Sequence, residues 1–413
     1  MNVKNSATPI LLAVILQLCA DGRAADWPTF LGPARDGCSP DTGLLKEWPP
    51  DGPKQLWKNE NIGPGWSSVA VVDGCAYTTG NEGDSQMLIC LDAKSGKERW
   101  RAAQGPKSSH NKYGGARATP TVDGDRIYLT GGDGLLTCQS AKDGRLLWKK
   151  DLRRDFGGKV GGWQYAESVL VLGKLAIATP GGPHAVVALD KATGNTVWKS
   201  DKPATAGYSS CLPITLDNGT VIANGSQSGL FVIDAKTGKE LYRSNFADGN
   251  VANVPTPAFS DGHLFWAVGY NKGGICLKVA NAGGQWSFEE VWDTRDFACH
   301  PGNYVVAQGR VFGKGKGGLV CADLKTGLTL WQERVGAGQV TWADGMLYSL
   351  ADSGGRLTLI DPSAENGRVK GKFQVAGTGN SWSHPVVING RLYVRYDTTL
   401  YCFDVRAKGA SAE

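Results

Sequence analysis

Several features that point to common function classes are absent from this sequence. Lysine and arginine exceed aspartate and glutamate by only 5 (44 − 39) over 413 residues, with no basic block, so a nucleic-acid partner is not expected. No Cys-x-x-Cys, His-Glu-x-x-His or Gly-x-Ser-x-Gly motif occurs. The main apolar stretch, Ile10–Leu18, is too short to cross a bilayer, so no transmembrane anchor is expected in the mature chain.

Glycine and tryptophan, in contrast, are abundant. Glycine accounts for 57 of the 413 residues and tryptophan for 14. An interior glycine weakens a helix by about 1 kcal/mol relative to alanine. Because 41% of the residues are hydrophobic, disorder is excluded. The composition therefore predicts an all-β protein of many short strands joined by tight turns.

Residues 1–24 are typical of an export signal. Lys4 precedes the apolar core, and Gly22 and Ala24 place small residues before a cleavage site after Ala24. The alternative is a lipoprotein signal ending at Cys19, but Leu18 is larger than the residue such a signal takes there. We expect a periplasmic or secreted protein divided into a signal peptide (1–24), an extension (25–47), a repetitive domain (48–406) and a disordered tail (407–413).

One phrase recurs along the chain: an apolar strand, Asp-x-x-x-Gly and, after two or three residues, an aromatic. The best copies span Leu88–Trp100, Leu136–Trp148, Val186–Trp198, Leu230–Tyr242 and Leu319–Trp331. The closing aromatics lie 39 to 50 residues apart: Trp57, Trp100, Trp148, Trp198, Tyr242, Trp292, Trp331 and Phe373. The Asp and Gly suit a hairpin turn, and the aromatic suits packing between sheets.

The repeat length predicts the architecture. A second hairpin precedes each phrase, so each unit of 40–50 residues has four antiparallel strands, as in a propeller blade. The last of eight units ends near Val405 without its aromatic strand, and Pro53–Lys58 has the character to supply it. We predict an eight-bladed β-propeller whose amino-terminal strand completes the last blade and removes the open sheet edges, with seven blades as the alternative.

The cysteines are expected to be core residues. Five of them occupy the same apolar strand in different repeats: Cys90, Cys138, Cys276, Cys321 and Cys402. That placement suits small hydrophobic side chains better than disulfides.

The repeated phrase resembles that of the pyrroloquinoline quinone (PQQ) repeat family. This repeat builds the eight-bladed propellers of quinoprotein alcohol dehydrogenases and the periplasmic propeller lipoprotein of the outer-membrane β-barrel assembly machinery. Asp26–Gly43 and the Tyr-Ala-Glu-Ser phrase at Tyr165–Ser168 also resemble exported PQQ-like propellers. The resemblance covers nearly the whole mature chain and implies the fold more strongly than a function.

The resemblance also defines what a PQQ enzyme would need. Quinoprotein dehydrogenases hold PQQ and calcium in the central channel with an adjacent-cysteine disulfide, acidic and amide calcium ligands and an aspartate base. This chain has no adjacent cysteines, and no calcium ligand or base is matched by motif. We therefore expect no bound cofactor, neither PQQ nor calcium.

The innermost strand of each blade lines the channel of a propeller. The aligned position just before the centre of that strand is Ser68, Thr119, Ser168, Pro213, Thr256, Asn303, Gln339 and His384. Seven of these eight residues are polar. The ring is expected to hold ordered water or, less favoured, to bind a ligand.

Larger groups near this ring are candidate ligand-binding residues: Arg117, Trp163, Glu167, Asn253, His300, Trp382 and His384. Arg117 and Glu167 lie on neighbouring blades and are expected to form an ion pair. Trp163 and Trp382 would otherwise roof a pocket for a sugar, peptide or carboxylate. His300 and His384 have no close ligand spacing, so no metal site is expected.

The sequence favours a non-catalytic propeller that acts as a scaffold in the cell envelope. Its expected partner is an envelope or extracellular protein, with a small polar ligand such as a carbohydrate as a further possibility. The alternatives are a PQQ-dependent oxidoreductase or another channel-site enzyme, such as a hydrolase that uses Glu167 with His384.

Overall fold

The Asp-x-x-x-Gly phrases form tight turns between strands. In the first copy, the Asp92 carboxylate accepts hydrogen bonds from the backbone N–H groups of Lys94 (3.1 Å) and Ser95 (2.8 Å). Gly96 has a φ of +71°, a left-handed conformation that favours glycine. A Cβ atom on Gly96 would lie 2.5 Å from the ring of Trp57. The turn therefore needs glycine for two reasons: the left-handed backbone conformation and the close approach of the Trp57 ring.

This contact between a closing aromatic and the turn glycine of the next blade repeats around the ring. It joins Trp100 to Gly144, Trp148 to Gly194, Trp198 to Gly238 and Trp292 to Gly327. The aromatic and the glycine of the phrase thus form one inter-blade contact, although they belong to different repeats.

The computed structural model describes residues 25–407 except 109, 111 and 364. The predicted signal peptide (1–24) and residues 408–413 of the predicted tail lie outside the described residues. Two strands precede the first blade: β1 (Cys38–Ser39) and β2 (Lys54–Asn59).

Eight sheets form the blades, and their strands follow the chain from the inside outwards. Blades 1 and 2 contain β3 (Ala70–Val72), β4 (Cys75–Glu82), β5 (Ser85–Asp92), β6 (Glu98–Pro106), β7 (Thr121–Asp123), β8 (Arg126–Thr130), β9 (Leu135–Ser140) and β10 (Leu146–Asp151). A short helix, α1 (Leu152–Phe156), lies between blades 2 and 3. Blades 3 and 4 contain β11 (Leu170–Leu172), β12 (Leu175–Ala178), β13 (Val187–Asp190), β14 (Thr196–Lys199), β15 (Leu212–Leu216), β16 (Gly219–Ser226), β17 (Gly229–Asp234) and β18 (Glu240–Arg243).

The second half of the ring repeats this order. Blades 5 and 6 contain β19 (Ala258–Ser260), β20 (His263–Val268), β21 (Gly273–Ala282), β22 (Gln285–Thr294), β23 (Val305–Ala307), β24 (Arg310–Gly315), β25 (Gly318–Asp323) and β26 (Thr329–Glu333). Blades 7 and 8 contain β27 (Gly338–Ala343), β28 (Met346–Ala351), β29 (Arg356–Asp361), β30 (Arg368–Gln374), β31 (Val386–Ile388), β32 (Arg391–Tyr396) and β33 (Thr399–Asp404).

The amino-terminal strand completes the last blade, as predicted. β2 pairs antiparallel with β33 and is the outermost of the four strands of blade 8. Trp57 lies opposite Cys402 in this pairing. The prediction of eight four-stranded antiparallel blades with amino-to-carboxyl closure is confirmed.

Residues 26–43, here called the floor segment, cross one end of the channel. Trp27 exchanges backbone hydrogen bonds with Val71 of blade 1. The Arg35 guanidinium donates to the carbonyl oxygens of Ser168 (2.7 Å) and Val169 (3.0 Å) in blade 3. β1 then pairs parallel with β27 as an additional innermost strand of blade 7. The segment therefore packs against the inner strands of blades 1, 3 and 7 or the residues next to them.

The cysteines of the repeated strand pack in the core. Cys90, Cys138, Cys276, Cys321 and Cys402 are fully buried. All nine cysteines in the described part of the chain are free thiols. They act as small hydrophobic residues between the sheets.

Candidate functional site

A ring of hydrogen bonds joins the blades around the channel, and the floor segment contacts two of its members through Arg35 and Phe30. Seven residues form this ring, here called the collar: Ser68, Thr119, Ser168, Ser210, Thr256, Asn303 and His384. Each side chain from Thr119 onwards accepts a hydrogen bond from the backbone N–H of the collar residue before it, at 2.9 to 3.2 Å. The Ser68 hydroxyl closes the ring by donating to the His384 carbonyl oxygen (2.7 Å).

The collar corrects the predicted polar ring at two positions. Pro213 lies within β15, and the collar residue of blade 4 is Ser210, two residues before that strand begins. Gln339 lies on β27 and takes no part, because the longer His384 side chain reaches past blade 7 to the Asn303 N–H. The side-chain acceptors expected to hold water or a ligand are thus occupied by the neighbouring blades.

His384 is held as a neutral hydrogen-bond acceptor. Its Nε2 accepts the Asn303 N–H at 3.2 Å, which requires that nitrogen to carry no proton. Burial lowers the pKa of His384 to about 3, and Phe30 of the floor segment packs edge-on against its ring at 4.9 Å. Because Nε2 already has a donor, it is not free to act as a general base.

Above the collar lies a cavity of about 250 Å³, here called the mouth pocket. Phe30 reaches it from the floor segment, and its walls come from the loops that precede the inner strands. Seven of its lining residues are large aromatics: Phe30, Trp66, Tyr113, Trp163, Tyr208, Tyr270 and Trp382. The fold therefore builds an aromatic concavity at one mouth of the channel, with Phe30 of the floor segment among its lining residues.

Four of these aromatics form one cluster, here called the aromatic cluster: Trp66, Tyr113, Trp163 and Trp382. The Tyr113 ring is central, with its centroid 5.3 Å from that of Trp163 and 5.6 Å from that of Trp382. Trp66 and Trp382 lie 5.4 Å apart. These offset and edge contacts hold the rings in place while leaving each half-buried.

Arg117 is the charged residue that lines the mouth pocket. Its guanidinium lies 5.4 Å from the centroid of the Trp66 ring and donates to the Ser108 hydroxyl (2.9 Å) and to the carbonyl oxygens of Gly115 (3.5 Å) and Tyr113. Among the described residues no carboxylate pairs with it. Burial lowers the pKa of Arg117 to about 10, so it remains a cation at neutral pH.

The structure brings five of the seven candidate residues to the mouth pocket: Arg117, Trp163, His300, Trp382 and His384. Asn253 does not line it, because its buried amide donates to the carbonyl oxygens of Ser226 (2.7 Å) and Ala247 (3.1 Å). Glu167 does not line it either, and the expected ion pair with Arg117 is wrong, since the carboxylate binds Thr179 within its own blade.

The sequence contained a signal for the aromatics that the prediction missed. The second residue before a collar residue lines the mouth pocket in all seven blades of the collar: Trp66, Arg117, Ala166, Tyr208, Val254, Pro301 and Trp382. In extended chain, residues two apart face the same side. The correct collar position in each blade is needed before this spacing can be used.

Glu167 is a buried carboxyl behind the pocket wall. It is 2% exposed and accepts hydrogen bonds from the Thr179 N–H (2.7 Å) and hydroxyl (2.5 Å). Burial raises the pKa of Glu167 to about 7, although the Thr179 hydrogen bonds and the Arg35 charge favour the ionised form.

Replacing Glu167 by glutamine is expected to change how stability depends on pH. Because the folded state raises the Glu167 pKa from 4.5 to about 7, it binds this proton more tightly than the unfolded chain does, and stability is lost as pH rises through this range. The loss is about 3 kcal/mol, and Glu167→Gln removes it. Urea unfolding of both proteins at pH 5 and pH 8 checks this. His384 titrates alike in both, so a difference between them that does not change with pH contradicts the prediction.

The residues at the mouth pocket do not fit a PQQ–calcium pair. No aspartate or glutamate lines the pocket, and calcium takes oxygen ligands that include carboxylates. Within the described ranges, no cluster of three or more His, Cys, Asp or Glu side chains is placed to hold a metal ion. Cys299, the cysteine nearest in sequence to the lining residue His300, is a buried free thiol.

The fold and the collar define an eight-bladed propeller of the PQQ-like class, and comparison with known proteins names the family. Residues 103–333 match the family model described as outer membrane protein assembly factor BamB. The chain belongs to this family.

A second similarity is to an enzyme. The polyvinylalcohol dehydrogenase of Pseudomonas sp. is 26% identical over 269 residues, which cover 54% of this chain and 42% of that enzyme. This chain thus matches less than half the length of that relative.

Two solved structures show the same fold. BamB from Moraxella catarrhalis superposes with a TM-score of 0.63 and 15% identity, over 87% of this chain and 99% of that one. Quinohemoprotein alcohol dehydrogenase from Comamonas testosteroni gives 0.66 and 13%, over 94% and 82%. At these identities the likeness is one of fold alone. No helix in the described part of the chain has the length and apolarity to cross a membrane.

Proposed function

We propose that this protein is a non-catalytic, exported binding propeller of the cell envelope that receives its partner at the mouth pocket. The observation that carries this proposal is the chemistry of the pocket lining. It combines seven large aromatics with a single cation, Arg117, that no carboxylate among the described residues pairs with, and it holds no carboxylate. Such a lining favours binding, because the paired acid and base that hydrolysis or proton transfer needs are missing from it.

The groups expected to serve an enzyme are also occupied. Glu167 is hydrogen-bonded to Thr179 behind the pocket wall, and the His384 Nε2 accepts a backbone N–H within the collar. Neither meets a substrate in the mouth pocket as a free base. The hydrolase alternative therefore has no support in this arrangement.

A protein is the preferred partner. The family is described by an assembly factor for outer membrane proteins, which favours binding of another envelope protein, and residues 1–24 favour export. The exposed Tyr270 at the rim of the pocket offers a further aromatic contact, and aromatics are enriched where protein interfaces have their strongest contacts.

Site-specific photo-crosslinking tests this proposal. A photoreactive amino acid at Tyr270 is expected to give a discrete crosslinked product in native envelopes, whereas one at Val197 is expected to give none. Both side chains are exposed, at 44% and 55%, but Val197 lies on an outermost strand away from the mouth. Equal products from both positions, or none from Tyr270, would contradict the proposed function.

The match to polyvinylalcohol dehydrogenase favours a second candidate, a PQQ-dependent oxidoreductase. The purified protein is titrated with PQQ and calcium, and its thermal unfolding midpoint and its reduction of a dye with alcohols are measured. These measurements separate the binding propeller from the oxidoreductase. We expect no shift of the midpoint and no dye reduction. Saturable binding with alcohol-dependent reduction would favour the oxidoreductase instead.

A further inference from the structure

The polar groups that the mouth pocket presents are mainly hydrogen-bond donors. Arg117 leaves its Nε–H without an acceptor among the described residues, since its hydrogen bonds there use the two terminal nitrogens. The indole N–H groups of Trp66, Trp163 and Trp382 also have no acceptor in the part of the chain that the structure describes. Three blade-closing tryptophans, Trp57, Trp148 and Trp292, differ, because their indole N–H groups donate to backbone carbonyls.

The side-chain acceptors of the collar, in contrast, are already used. The Asn303 Oδ1 accepts the Thr256 N–H at 3.0 Å, and the His384 Nε2 accepts the Asn303 N–H. A ligand that fits this lining must therefore bring acceptors of its own, and one of them should be negatively charged to neutralise Arg117. A carboxylate meets both requirements, and a guanidinium binds it with charge-assisted hydrogen bonds.

The aromatic cluster indicates what carries the carboxylate. Its rings expose apolar faces and edges around a cavity of about 250 Å³, which suits a flat aromatic group of similar size to the side chains that form it. A sugar acid fits less well, because most of its hydroxyl groups would lose water against the apolar faces of the aromatic cluster.

We propose that the mouth pocket binds an aromatic ring that carries a carboxylate, with the ring held in the aromatic cluster and the carboxylate held by Arg117. This inference rests on the proposed function, since it names the ligand of the same pocket. The same pair of groups occurs in a free aromatic acid and in an aromatic residue at the carboxyl end of a partner protein. The ligand binds through Arg117 without calcium.

Isothermal titration calorimetry with matched ligands tests the charge. Indole-3-acetate is expected to bind at least tenfold more tightly than indole-3-acetamide, which has the same ring and nearly the same shape but no charge, because hydrogen bonds to charged groups are the stronger ones. Arg117→Gln should lower affinity for the acetate to that of the amide. The matched control Arg145→Gln, an exposed arginine of the same blade, should leave both affinities unchanged.

Further ligands distinguish a free aromatic acid from the carboxyl end of a partner protein, and a further variant tests the role of the Arg117 charge. A tripeptide ending in tryptophan, compared with its carboxamide form, reports on a protein chain end, and the tighter of this peptide and indole-3-acetate identifies the source. Arg117→Lys keeps the charge and should retain part of the preference for the acid, which guards against a folding defect in the glutamine variant.

Two outcomes overturn the inference: equal binding of the acids and their amides, or tighter binding of glucuronate than of either aromatic acid. The proposed function is judged separately. If Tyr270 gives crosslinks but no aromatic acid is preferred, the binding propeller stands and only the ligand class is wrong. If the acids bind but Tyr270 gives no crosslink, the protein partner is wrong and the ligand class stands.

Discussion

Replacing Arg395 by methionine is expected to lower the free energy of unfolding by about 4 kcal/mol, because it strands several buried acceptors at once. Arg395 lies on β32 in blade 8 and is 1% exposed. Its guanidinium donates to the Gly63 carbonyl oxygen (2.9 Å), the Thr78 hydroxyl (3.3 Å) and the carbonyl oxygen of Thr79. All three acceptors belong to blade 1 or the loop that leads into it, so this side chain joins the last blade to the first.

Urea unfolding followed by circular dichroism measures this loss. The matched control is Arg368→Met, at an exposed arginine on β30, which should change stability by no more than about 0.5 kcal/mol. Methionine keeps much of the length of the Arg395 side chain, so a large loss reports the hydrogen bonds more than the volume. A variant as stable as the control would show that the junction of blades 8 and 1 does not depend on Arg395.

Replacing Trp57 by alanine is expected to lower the free energy of unfolding by about 4 kcal/mol, which is typical for the loss of a large buried aromatic side chain. Trp57 is 8% exposed, its ring covers Gly96 of blade 1, and its indole N–H donates to the Ala93 carbonyl oxygen (3.1 Å). Because β2 is held to blade 8 without a continuous chain connection, we also expect this strand to separate locally from β33.

Hydrogen exchange distinguishes local separation of β2 from β33 from a general loss of packing. In Trp57→Ala, the amides of β33 should lose protection before the rest of the ring. Trp198→Ala is the matched control: Trp198 is 9% exposed and covers Gly238 in the same way, but its strand β14 is continuous with its own blade. Uniform loss of protection in both variants would argue against a special role for the pairing of β2 with β33.

The repeated phrases carried most of the information that predicted the fold. The closing aromatics gave the blade count and placed Trp57 on the last blade, since each phrase combines a local turn with a contact to the next repeat. The hydrogen bonds from Arg395 that join blade 8 to blade 1 were not predictable in this way. They depend on two blades more than 300 residues apart in sequence, and nothing in the local pattern marks one arginine on a strand as buried.

The mouth pocket was predicted only in part for a related reason. Arg117, Trp163 and Trp382 were recognised because large groups near the start of the inner strands stand out, whereas Trp66 and Tyr113 were missed. A register error of three residues in blade 4, at Pro213 in place of Ser210, hid the spacing that places Tyr208 in the pocket.

The sequence by itself determined the all-β class, the eight blades and their closure, because these follow from interactions repeated between neighbours along the chain. The tertiary structure decided what the channel ends become. The floor segment crosses one end, the collar uses the polar ring for hydrogen bonds between blades, and loops from separate blades converge into one aromatic pocket beside Arg117. Those contacts form only when the ring closes, since closure brings loops distant in sequence within a few ångströms of one another.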